Sequence, residues 1–234
     1  MRHVGIIMSA GKGLRVGGDI PKQYMELCGK PVLYYSIKAM QDSFIDEIII
    51  VCGAGDEEYV RENIVNKYSL DKVRRIVEGG AERSDSVFNG LRAVLEPEKA
   101  YVYIHDGARP MLNNELLLAV REDVECFGTA VPGVNSKDTV KLVDENGFVS
   151  ATPDRAFVWN IQTPQAFKGD DIIAAYEAFR ERKNVKVTDD ASVMECFGKL
   201  PVHITKGDYC NIKITTSEDF LTATNFLKKV EKSS

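Results

Sequence analysis

Residues 4–18 read VGIIMSAGKGLRVGG, an apolar run followed directly by a glycine-rich turn. Val4–Met8 has the length and composition of a buried strand. Glycines after such a strand let the backbone approach a ligand closely, and successive N–H groups in the turn can hold a phosphate. The pattern predicts a first strand whose carboxyl end faces an anion.

Beyond this turn, apolar strand-like runs alternate with amphipathic helical stretches. The further predicted strands are Glu47–Cys52, Val73–Val77, Tyr101–Ile104, Thr129–Val134, Trp159–Thr163, Val202–Thr205 and Asn211–Thr215. The predicted helices are Pro31–Met40, Glu57–Lys67, Ser84–Leu95, Asn114–Glu125, Asp170–Arg182 and a last helix that Ser217 caps and that ends near Lys229. Strands separated by helices of this size indicate βαβ units, and therefore an α/β fold with a mostly parallel sheet flanked by helices.

The alternation is interrupted by a predicted hairpin. Residues 139–143 alternate between polar and apolar, residues 144–147 form an Asp-Glu-Asn-Gly turn, and Phe148 and Val149 resume a strand. Within a βαβ series, such a hairpin is expected to stand off the main sheet as a protruding arm of about residues 136–157. An edge hairpin without a role explains the spacing equally well. The chain shows no repeat or linker, so we expect one domain over residues 1–234.

The composition argues against several classes of protein. The 234 residues include 30 Lys and Arg against 35 Asp and Glu, a formal net charge of −5. A net acidic chain is a poor candidate for binding nucleic acid or anionic membranes, so any cationic site must be local. The apolar runs are strand-sized, so we expect no transmembrane or secretory segment. Five cysteines without a C-x-x-C pair argue against disulfides and structural zinc, and favour a reduced cytoplasm.

The glycine-rich turn matches neither of two familiar phosphate-binding motifs. A dinucleotide fingerprint requires G-x-G-x-x-G; Gly11 and Gly13 fit it, but Val16 does not, and the Walker pattern is absent. The turn and the residues after it are nevertheless cationic, with Lys12, Arg15 and Lys22. This charge favours phosphate binding over a solvated loop whose basic residues only add solubility.

A second candidate site is the sequence HDGARP, residues 105–110, at the end of the Tyr101–Ile104 strand. Ligands of open α/β sheets bind at the carboxyl edge of the strands. A carboxylate such as Asp106 can hold Mg²⁺ there, because this ion prefers oxygen ligands and shares them with substrate phosphates. A structural pair between Asp106 and Arg109 is the alternative. His105 is expected to be a hydrogen-bonded scaffold residue instead of a base.

Several motifs occur in one order along the chain. They are AGKGLR at 10–15 with PKQY at 21–24, GGAERSDSV at 79–87, HDGARP at 105–110, DTVK at 138–141, TPQ at 163–165, TDDAS at 188–192 and NIK at 211–213. Together they resemble the 2-C-methyl-D-erythritol 4-phosphate cytidylyltransferases of the non-mevalonate isoprenoid pathway. The resemblance covers nearly the whole chain.

The resemblance implies a Rossmann-like fold and a homodimer whose arm reaches into the partner subunit. It also implies transfer of the cytidylyl group of CTP to 2-C-methyl-D-erythritol 4-phosphate, with Mg²⁺ as cofactor. The products are 4-diphosphocytidyl-2-C-methyl-D-erythritol and pyrophosphate. The substrate phosphate would attack the α-phosphorus of CTP in line. This phosphate is mostly ionised at neutral pH, so catalysis would rest on positioning and electrostatics without a general base.

The resemblance also implies a role for each site residue. Those expected around the nucleotide, largely through backbone groups, are Ser9, Ala10, Gly11, Lys12, Gly13, Gly80 and Ser86. The catalytic cations expected around the triphosphate are Arg15, Lys22 and Lys213. The residues expected to hold the methylerythritol phosphate are Asp106, Arg109, Thr139, Arg155, Thr163 and Thr188, with Arg155 offered across the dimer interface. Ser9 departs from the alanine of many relatives, and contact through its backbone would make this departure harmless.

Three other functions compete with this interpretation. A ribitol 5-phosphate cytidylyltransferase is the nearest, because both substrates are short polyol phosphates. A nicotinamide oxidoreductase requires a third glycine in register and an acidic residue closing the second strand, which Val16 and the run Val51-Cys52-Gly53 do not provide. A non-catalytic nucleotide sensor is disfavoured by the number of cations expected at one centre.

Overall fold

The described residues, 1–11, 20–182 and 185–233 of this computed structural model, contain twelve strands and seven α-helices, besides short 3-10 and π-helical segments; side chains are described up to residue 229. The strands are β1 Arg2–Ser9, β2 Glu26–Leu27, β3 Lys30–Pro31, β4 Glu47–Cys52, β5 Val73–Glu78, β6 Ala100–Asp106, β7 Thr129–Asn135, β8 Leu142–Val143, β9 Val149–Ala151, β10 Trp159–Ile161, β11 Gln165–Lys168 and β12 Ile204–Lys206. The helices are α1 Val32–Gln41, α2 Glu57–Val60, α3 Arg83–Arg92, α4 Asn114–Phe127, α5 Gly169–Glu181, α6 Asp190–Phe197 and α7 Ser217–Ser233.

Eight of these strands form one sheet in the order β10-β7-β11-β6-β1-β4-β5, with β12 added beside β7. Strands β5, β4, β1 and β6 are parallel neighbours, which confirms the predicted βαβ arrangement. Strand β11 is antiparallel to both β6 and β7, and β10 is antiparallel to β7. The sequence pattern did not predict β11, because the chain enters it from β10 through residues 162–164 without an intervening helix.

Helices cover both faces of the sheet because its central strands are apolar on both sides. In β4, Ile48 and Ile50 pack with α1 and α4, whereas Ile49 and Val51 pack on the opposite face with α3 and α5. Such strands read as continuous hydrophobic runs. At Gly5 a Cβ would lie 2.5 Å from the sulfur of Met40, so the Met40 side chain of α1 packs directly over this glycine of β1.

The hairpin β8–β9 stands away from the sheet, which confirms the predicted protruding arm. Its two strands pair only with each other, and the side chains of residues 141–151 are all exposed. Asp144 Oδ1 accepts the backbone N–H groups of Asn146 and Phe148, and Gly147 has a φ of +85° that favours glycine.

Two predictions near the carboxyl terminus are wrong. Residues 211–215 form no strand; side-chain and backbone bonds hold them instead, including those from the Ile214 N–H to Ala108 O and from Asn211 Nδ2 to Thr163 O. Ser217 does not cap the last helix, because it is the first helical residue. Thr216 takes that place: its Oγ1 accepts the Asp219 N–H, and Asp219 Oδ2 accepts the Thr216 N–H.

The predicted helix Glu57–Lys67 is also irregular: α2 passes into a π-helix at Arg61–Asn66. Within the ranges that the structure describes, no helix combines the length and apolar character needed to cross a bilayer.

Candidate active site

A cleft of about 640 Å³ opens at the carboxyl ends of β1 and β6, where the register places Met8 beside Asp106. Ligands of open α/β sheets bind at this edge. The residues that line the cleft come from the ends of these strands, the segment before β2, the first turn of α3 with the loop before it, and the segment after β12. They include Ser9, Ala10, Gly11, Lys22, Gln23, Gly80, Arg83, Ser86, Asp106 and Lys213.

Asp106 lies among three cations at one side of the cleft. Lys213 Nζ is 2.9 Å from its Oδ2, Arg109 Nε is 3.7 Å from the same atom, and Arg83 Nη2 is 3.9 Å from Oδ1. Burial alone would raise the pKa of Asp106, but the charges of Lys213, Arg83 and Arg109 outweigh it and hold that pKa well below its usual range. The carboxylate is therefore ionised at neutral pH, and the cations around it outnumber it.

Lys22 reaches the same region from the chain after the glycine-rich turn. Its Nζ donates to the carbonyl oxygen of Ile214 at 2.7 Å, next to Lys213 in sequence. The structure thus brings together two of the three predicted catalytic cations, Lys22 and Lys213, which both line the cleft. Three predicted residues, Lys12, Gly13 and Arg15, lie outside the described residues.

The predicted nucleotide-binding residues that the structure describes also line the cleft. The hydroxyl of Ser9 donates to the Val51 carbonyl oxygen, so its side chain turns into the sheet. The hydroxyl of Ser86 accepts the Gly80 N–H and donates to Glu82 O, which fixes the bend before α3. A Cβ at Gly80 would lie 2.3 Å from that of Asp85, so no larger residue fits this bend.

Gln23 was not predicted as a site residue, yet it holds the start of the glycine-rich turn. Its Nε2 donates to the carbonyl oxygens of Ser9 and Gly11 at 2.7 and 3.0 Å. A buried amide that binds two backbone carbonyls sets the position of that backbone. The sequence signal was its place in the PKQY motif, directly after Lys22.

Thr163 and His105 form a buried chain of hydrogen bonds that begins at the backbone N–H of Asp106. The Thr163 hydroxyl oxygen accepts the Asp106 N–H at 3.0 Å and lies 2.9 Å from His105 Nδ1. His105 Nε2 lies 3.3 Å from the Arg109 carbonyl oxygen, which can only accept, so Nε2 carries the proton of the neutral ring. Nδ1 is then the acceptor, and the Thr163 hydroxyl donates to it. His105 is therefore a neutral scaffold residue, as the sequence suggested, and the hydroxyl of Thr163 is buried beneath the site.

The buried imidazole predicts a loss of stability in mildly acidic solution. Burial lowers the pKa of His105 from 6.5 to about 4, so between these values the unfolded chain binds a proton that the folded chain does not. The free energy of unfolding should be at its full value above about pH 6.5 and should fall by about 3 kcal/mol as the pH approaches 4. Urea unfolding against pH, in a chelating buffer, measures this change. His105→Gln should lose most of the slope, and an unchanged slope would contradict the assignment.

Arg109 combines burial with an unsatisfied donor. Its Nη1 donates to the Asn211 carbonyl oxygen at 2.7 Å, whereas its Nε has no hydrogen-bond partner among the described residues. Burial lowers the pKa of Arg109, against the opposing charge of Asp106. A guanidinium held in this way is suited to an anion that binds beside Asp106.

Arg83 belongs to the GGAERSDSV motif, from which no role was predicted for it. In the structure it lies between Asp106 at the end of β6 and Asp190 at the start of α6. Its Nη1 and Nη2 donate to Asp190 Oδ1 and Oδ2 at 2.9 and 2.8 Å, and Tyr176 donates to the same Oδ1 at 2.6 Å. Asp190 is completely buried at the start of α6. The charge of Asp190 raises the pKa of Arg83. The link fixes α6, and Asp189 as its N-cap, relative to Asp106.

Of the six predicted substrate residues, only Asp106 lines this cleft. Arg109 and Thr163 contact Asp106 without lining the cleft, and Thr139, Arg155 and Thr188 are not among the lining residues either. Thr139 and Arg155 belong to the arm region, and Arg155 is exposed, with its Nη1 donating to Lys137 O at 3.1 Å. Thr188 is exposed before α6, where its N–H donates to Ser192 Oγ.

No group of three metal-ligating side chains occurs in residues 1–11, 20–182 and 185–233. Asp106 is nevertheless an ionised carboxylate on the cleft wall. Mg²⁺ in phosphate-transfer sites is commonly held by one or two carboxylates, with substrate phosphates and water as its other ligands. The donors present therefore fit an ion that is shared with a triphosphate, and do not form a protein cage.

Known proteins share this chain's sequence and fold over almost its whole length. The family model of 2-C-methyl-D-erythritol 4-phosphate cytidylyltransferase (IspD) matches residues 3–229. The enzymes of that name from Lachnoclostridium phytofermentans and Lachnospira eligens are 42% and 45% identical, over 96% and 97% of this chain and 95% and 99% of their own. The crystal structure of 4-diphosphocytidyl-2C-methyl-D-erythritol synthase from Anaerococcus prevotii is 38% identical, with a TM-score of 0.85 over 97% of this chain and 96% of that one. The chain therefore belongs to the 2-C-methyl-D-erythritol 4-phosphate cytidylyltransferase family of nucleotidyltransferases.

Proposed function

We propose that this protein transfers the cytidylyl group of CTP to 2-C-methyl-D-erythritol 4-phosphate and releases pyrophosphate. Besides family membership, one observation supports this function most directly: Lys213, Arg83 and Arg109 surround Asp106 at the carboxyl edge of the sheet, and Lys22 lines the same cleft. The chain is acidic overall, yet several cations lie together at this one cleft. Such a local concentration of positive charge is what the binding of two phosphorylated substrates requires.

The reaction needs positioning and charge stabilisation more than proton transfer. The substrate phosphate is ionised at neutral pH, so it can attack the α-phosphorus of CTP in line without a base. His105 is unsuited to act as one, because it is buried and both ring nitrogens are engaged. Fixed cations stabilise the charge on the equatorial oxygens of the transition state, because they need no reorganisation as the reaction proceeds.

Each predicted site residue then receives a role. Lys22 and Lys213, with Arg15, would neutralise the triphosphate. The glycine-rich turn and the bend before α3 would receive the base and ribose, through Ser9, Ala10, Gly11, Lys12, Gly13, Gly80 and Ser86. Asp106 and Arg109 would orient the methylerythritol phosphate, and Thr163 holds Asp106 in place through its N–H. Thr188, which lies just before α6, would also contact the methylerythritol phosphate.

Asp106 would also hold Mg²⁺ together with the phosphates of CTP. Bound there, the ion would neutralise phosphate charge and polarise the α-phosphoryl group. The carboxylate suits this role, since the surrounding cations keep it ionised.

The function is tested by measuring pyrophosphate release from the purified protein with CTP and 2-C-methyl-D-erythritol 4-phosphate. Ribitol 5-phosphate serves as the second acceptor in a parallel assay. We expect turnover with methylerythritol phosphate, its loss in EDTA and its return with added Mg²⁺. CTP binding by calorimetry without pyrophosphate release would instead indicate a nucleotide sensor, and faster turnover with ribitol 5-phosphate would change the substrate.

We further propose a homodimer formed through the arm, which we define as residues 136–157 of the single nucleotidyltransferase domain 1–234. The arm exposes large apolar side chains: Phe148 and Phe157 are 73% and 83% exposed. Large exposed apolar side chains on one protruding element commonly mark an interface with another protein. The partner would then receive Thr139 and Arg155 at its cleft.

Replacing Phe157 by glutamate is expected to weaken this dimer. A charge placed at a large apolar contact is costly to bury, so the variant should elute as a monomer in sizing chromatography with light scattering. Its turnover should fall, because Arg155 would no longer reach a partner's cleft. Exchange of Phe127, an exposed aromatic on α4, for glutamate is the matched control and should leave the dimer intact. A monomeric wild-type protein with full turnover would contradict the proposal.

The proposed location is the cytoplasm. All five cysteines are free thiols, as is usual in a reducing compartment.

A further inference from the structure

Residues 207–215 carry Lys213 to the cleft without any regular secondary structure. A lysine side chain is long and flexible, so the position of its ammonium depends on how firmly the backbone beneath it is held. The bonds that hold this segment are therefore candidates for a role in catalysis. They come mainly from Gln162 and Asn211, which have no role in the functional assignment above.

Asn211 lies at the centre of these bonds and is completely buried. Its side-chain Nδ2 donates to the Thr163 carbonyl oxygen at 2.9 Å, and its backbone carbonyl oxygen accepts from Arg109 Nη1 at 2.7 Å. The hydroxyl of the same Thr163 accepts the Asp106 N–H. One side chain thus joins the segment that carries Lys213 to the strand end that carries Asp106.

Gln162 fixes the turn that precedes Asn211. Its Nε2 donates to the Asp208 carbonyl oxygen at 2.8 Å, and its Oε1 accepts the Asp208 N–H at 3.2 Å. The Gln162 side-chain amide thus bonds both the N–H and the carbonyl group of Asp208, as the backbone of a neighbouring strand would. The preceding residue, Gly207, donates its N–H to the Gly133 carbonyl oxygen on β7. A Cβ at Gly207 would lie 2.6 Å from Gln162 Oε1, so glycine is required for this approach.

The far side of Lys213 is held as well. The Ile214 N–H donates to the Ala108 carbonyl oxygen at 2.9 Å, between Asp106 and Arg109 in sequence. Lys213 is therefore bracketed by fixed residues at 211 and 214, and its Nζ lies 2.9 Å from Asp106 Oδ2. A lysine so bracketed meets its anion with little loss of conformational freedom.

We propose that Asn211 is a positioning residue for cytidylyl transfer, which sets the place of Lys213 relative to Asp106, with Gln162 holding the turn before it. This proposal rests on the catalytic role of Lys213 given above. A buried Asn that only stabilised the fold would lower the stability of every variant equally, whatever residue stood at position 213.

A double-mutant cycle separates these two roles. Asn211→Ala should lower kcat by about 10- to 100-fold when Lys213 is present, on the scale that a misplacement of about 1 Å costs. In the Lys213→Ala background the same change should lower kcat by less than about threefold, since the residue it positions is gone. Equal losses in both backgrounds would overturn the positioning role. Gln162→Met, which keeps the length of the side chain but not its amide, is tested in the same cycle in case Asn211→Ala does not fold.

Thr205→Val is the matched control for lost stability. Thr205 is buried on β12, just before the segment, and its hydroxyl donates to Asp123 Oδ2 at 2.7 Å, outside the residues that line the cleft. This variant should lower the midpoint of thermal unfolding and leave kcat unchanged. Normal turnover of Lys213→Ala itself would overturn both the role of Lys213 and the proposal. Absence of pyrophosphate release by the wild-type protein would identify a failure of the proposed function itself.

Discussion

Lys213→Ala should lower kcat by about 10²- to 10³-fold, or roughly 3–4 kcal/mol, which is the scale of losing one preorganised electrostatic group. The Lys213 ammonium stands 2.9 Å from Asp106 Oδ2 at the edge of a partly enclosed cleft. Arg109 and Arg83 remain after the substitution, but at 3.7 and 3.9 Å from Asp106 they are already committed to Asn211 and Asp190. Neither can take the position of the Lys213 ammonium without breaking those bonds.

The loss should appear in kcat more than in the KM for CTP. An interaction that strengthens as charge develops on the phosphoryl oxygens stabilises the transition state beyond the bound substrate. Steady-state pyrophosphate release at saturating CTP and methylerythritol phosphate, with Mg²⁺, measures the effect. Lys99→Ala is the control, because Lys99 is an exposed surface lysine paired with Glu96, and such pairs contribute little. Turnover of Lys213→Ala within about threefold of the wild type would contradict the electrostatic mechanism.

The sequence predicted the sheet well where a strand is buried on both faces. The bounds of β4 match the prediction, because a continuous apolar run at residues 48–52 follows Glu47 and is closed by a turn. It failed where tertiary contacts decide the conformation. Residues 211–215 alternate in polarity like a strand, yet Asn211 and Ile214 bond to the loops after β6 and β10 instead of to a neighbouring strand. Strand β11 was not predicted, because it is short, antiparallel to its neighbour β6 and not preceded by a helix in the sequence.

The residues of the candidate site also divide into those that the sequence predicts and those that only the tertiary contacts reveal. Asp106 and Lys22 could be predicted because each belongs to a short motif with its own chemistry, whereas Lys213 could be predicted only from the family resemblance. The structure places all three at one cleft. The residues that position them could not be found from spacing. Arg83 and Asp190 are separated by 107 positions, and Gln162 and Asp208 by 46, so only the folded chain shows that they are partners. An Asp doublet before a helix predicts a cap, which Asp189 provides, but not a buried ion pair, which Asp190 forms.

Arg83→Met should destabilise the protein by about 2–3 kcal/mol, less than the loss of a fully buried ion pair, because the Asp190 carboxylate is buried but the Arg83 side chain is 36% exposed. Asp190 is completely buried, and without Arg83 it keeps only the hydroxyl of Tyr176 among its described side-chain partners. A buried carboxylate left without its cation bears the full desolvation penalty. Urea unfolding near neutral pH measures the change. The start of α6 should loosen as well, so protection of the amides of α6 from hydrogen exchange should fall before that of β4.

The double variant Arg83→Met with Asp190→Asn shows whether the uncompensated charge causes this loss. Asparagine keeps an oxygen that can accept from Tyr176 but carries no charge, so the double variant should be more stable than Arg83→Met alone by about 2 kcal/mol. Arg180→Met is the matched control, since Arg180 pairs with Asp85 at the surface with both side chains more than one-third exposed, and it should cost less than about 1 kcal/mol. If the double variant is the less stable of the two, the contribution of Arg83 lies in packing and not in the compensation of Asp190.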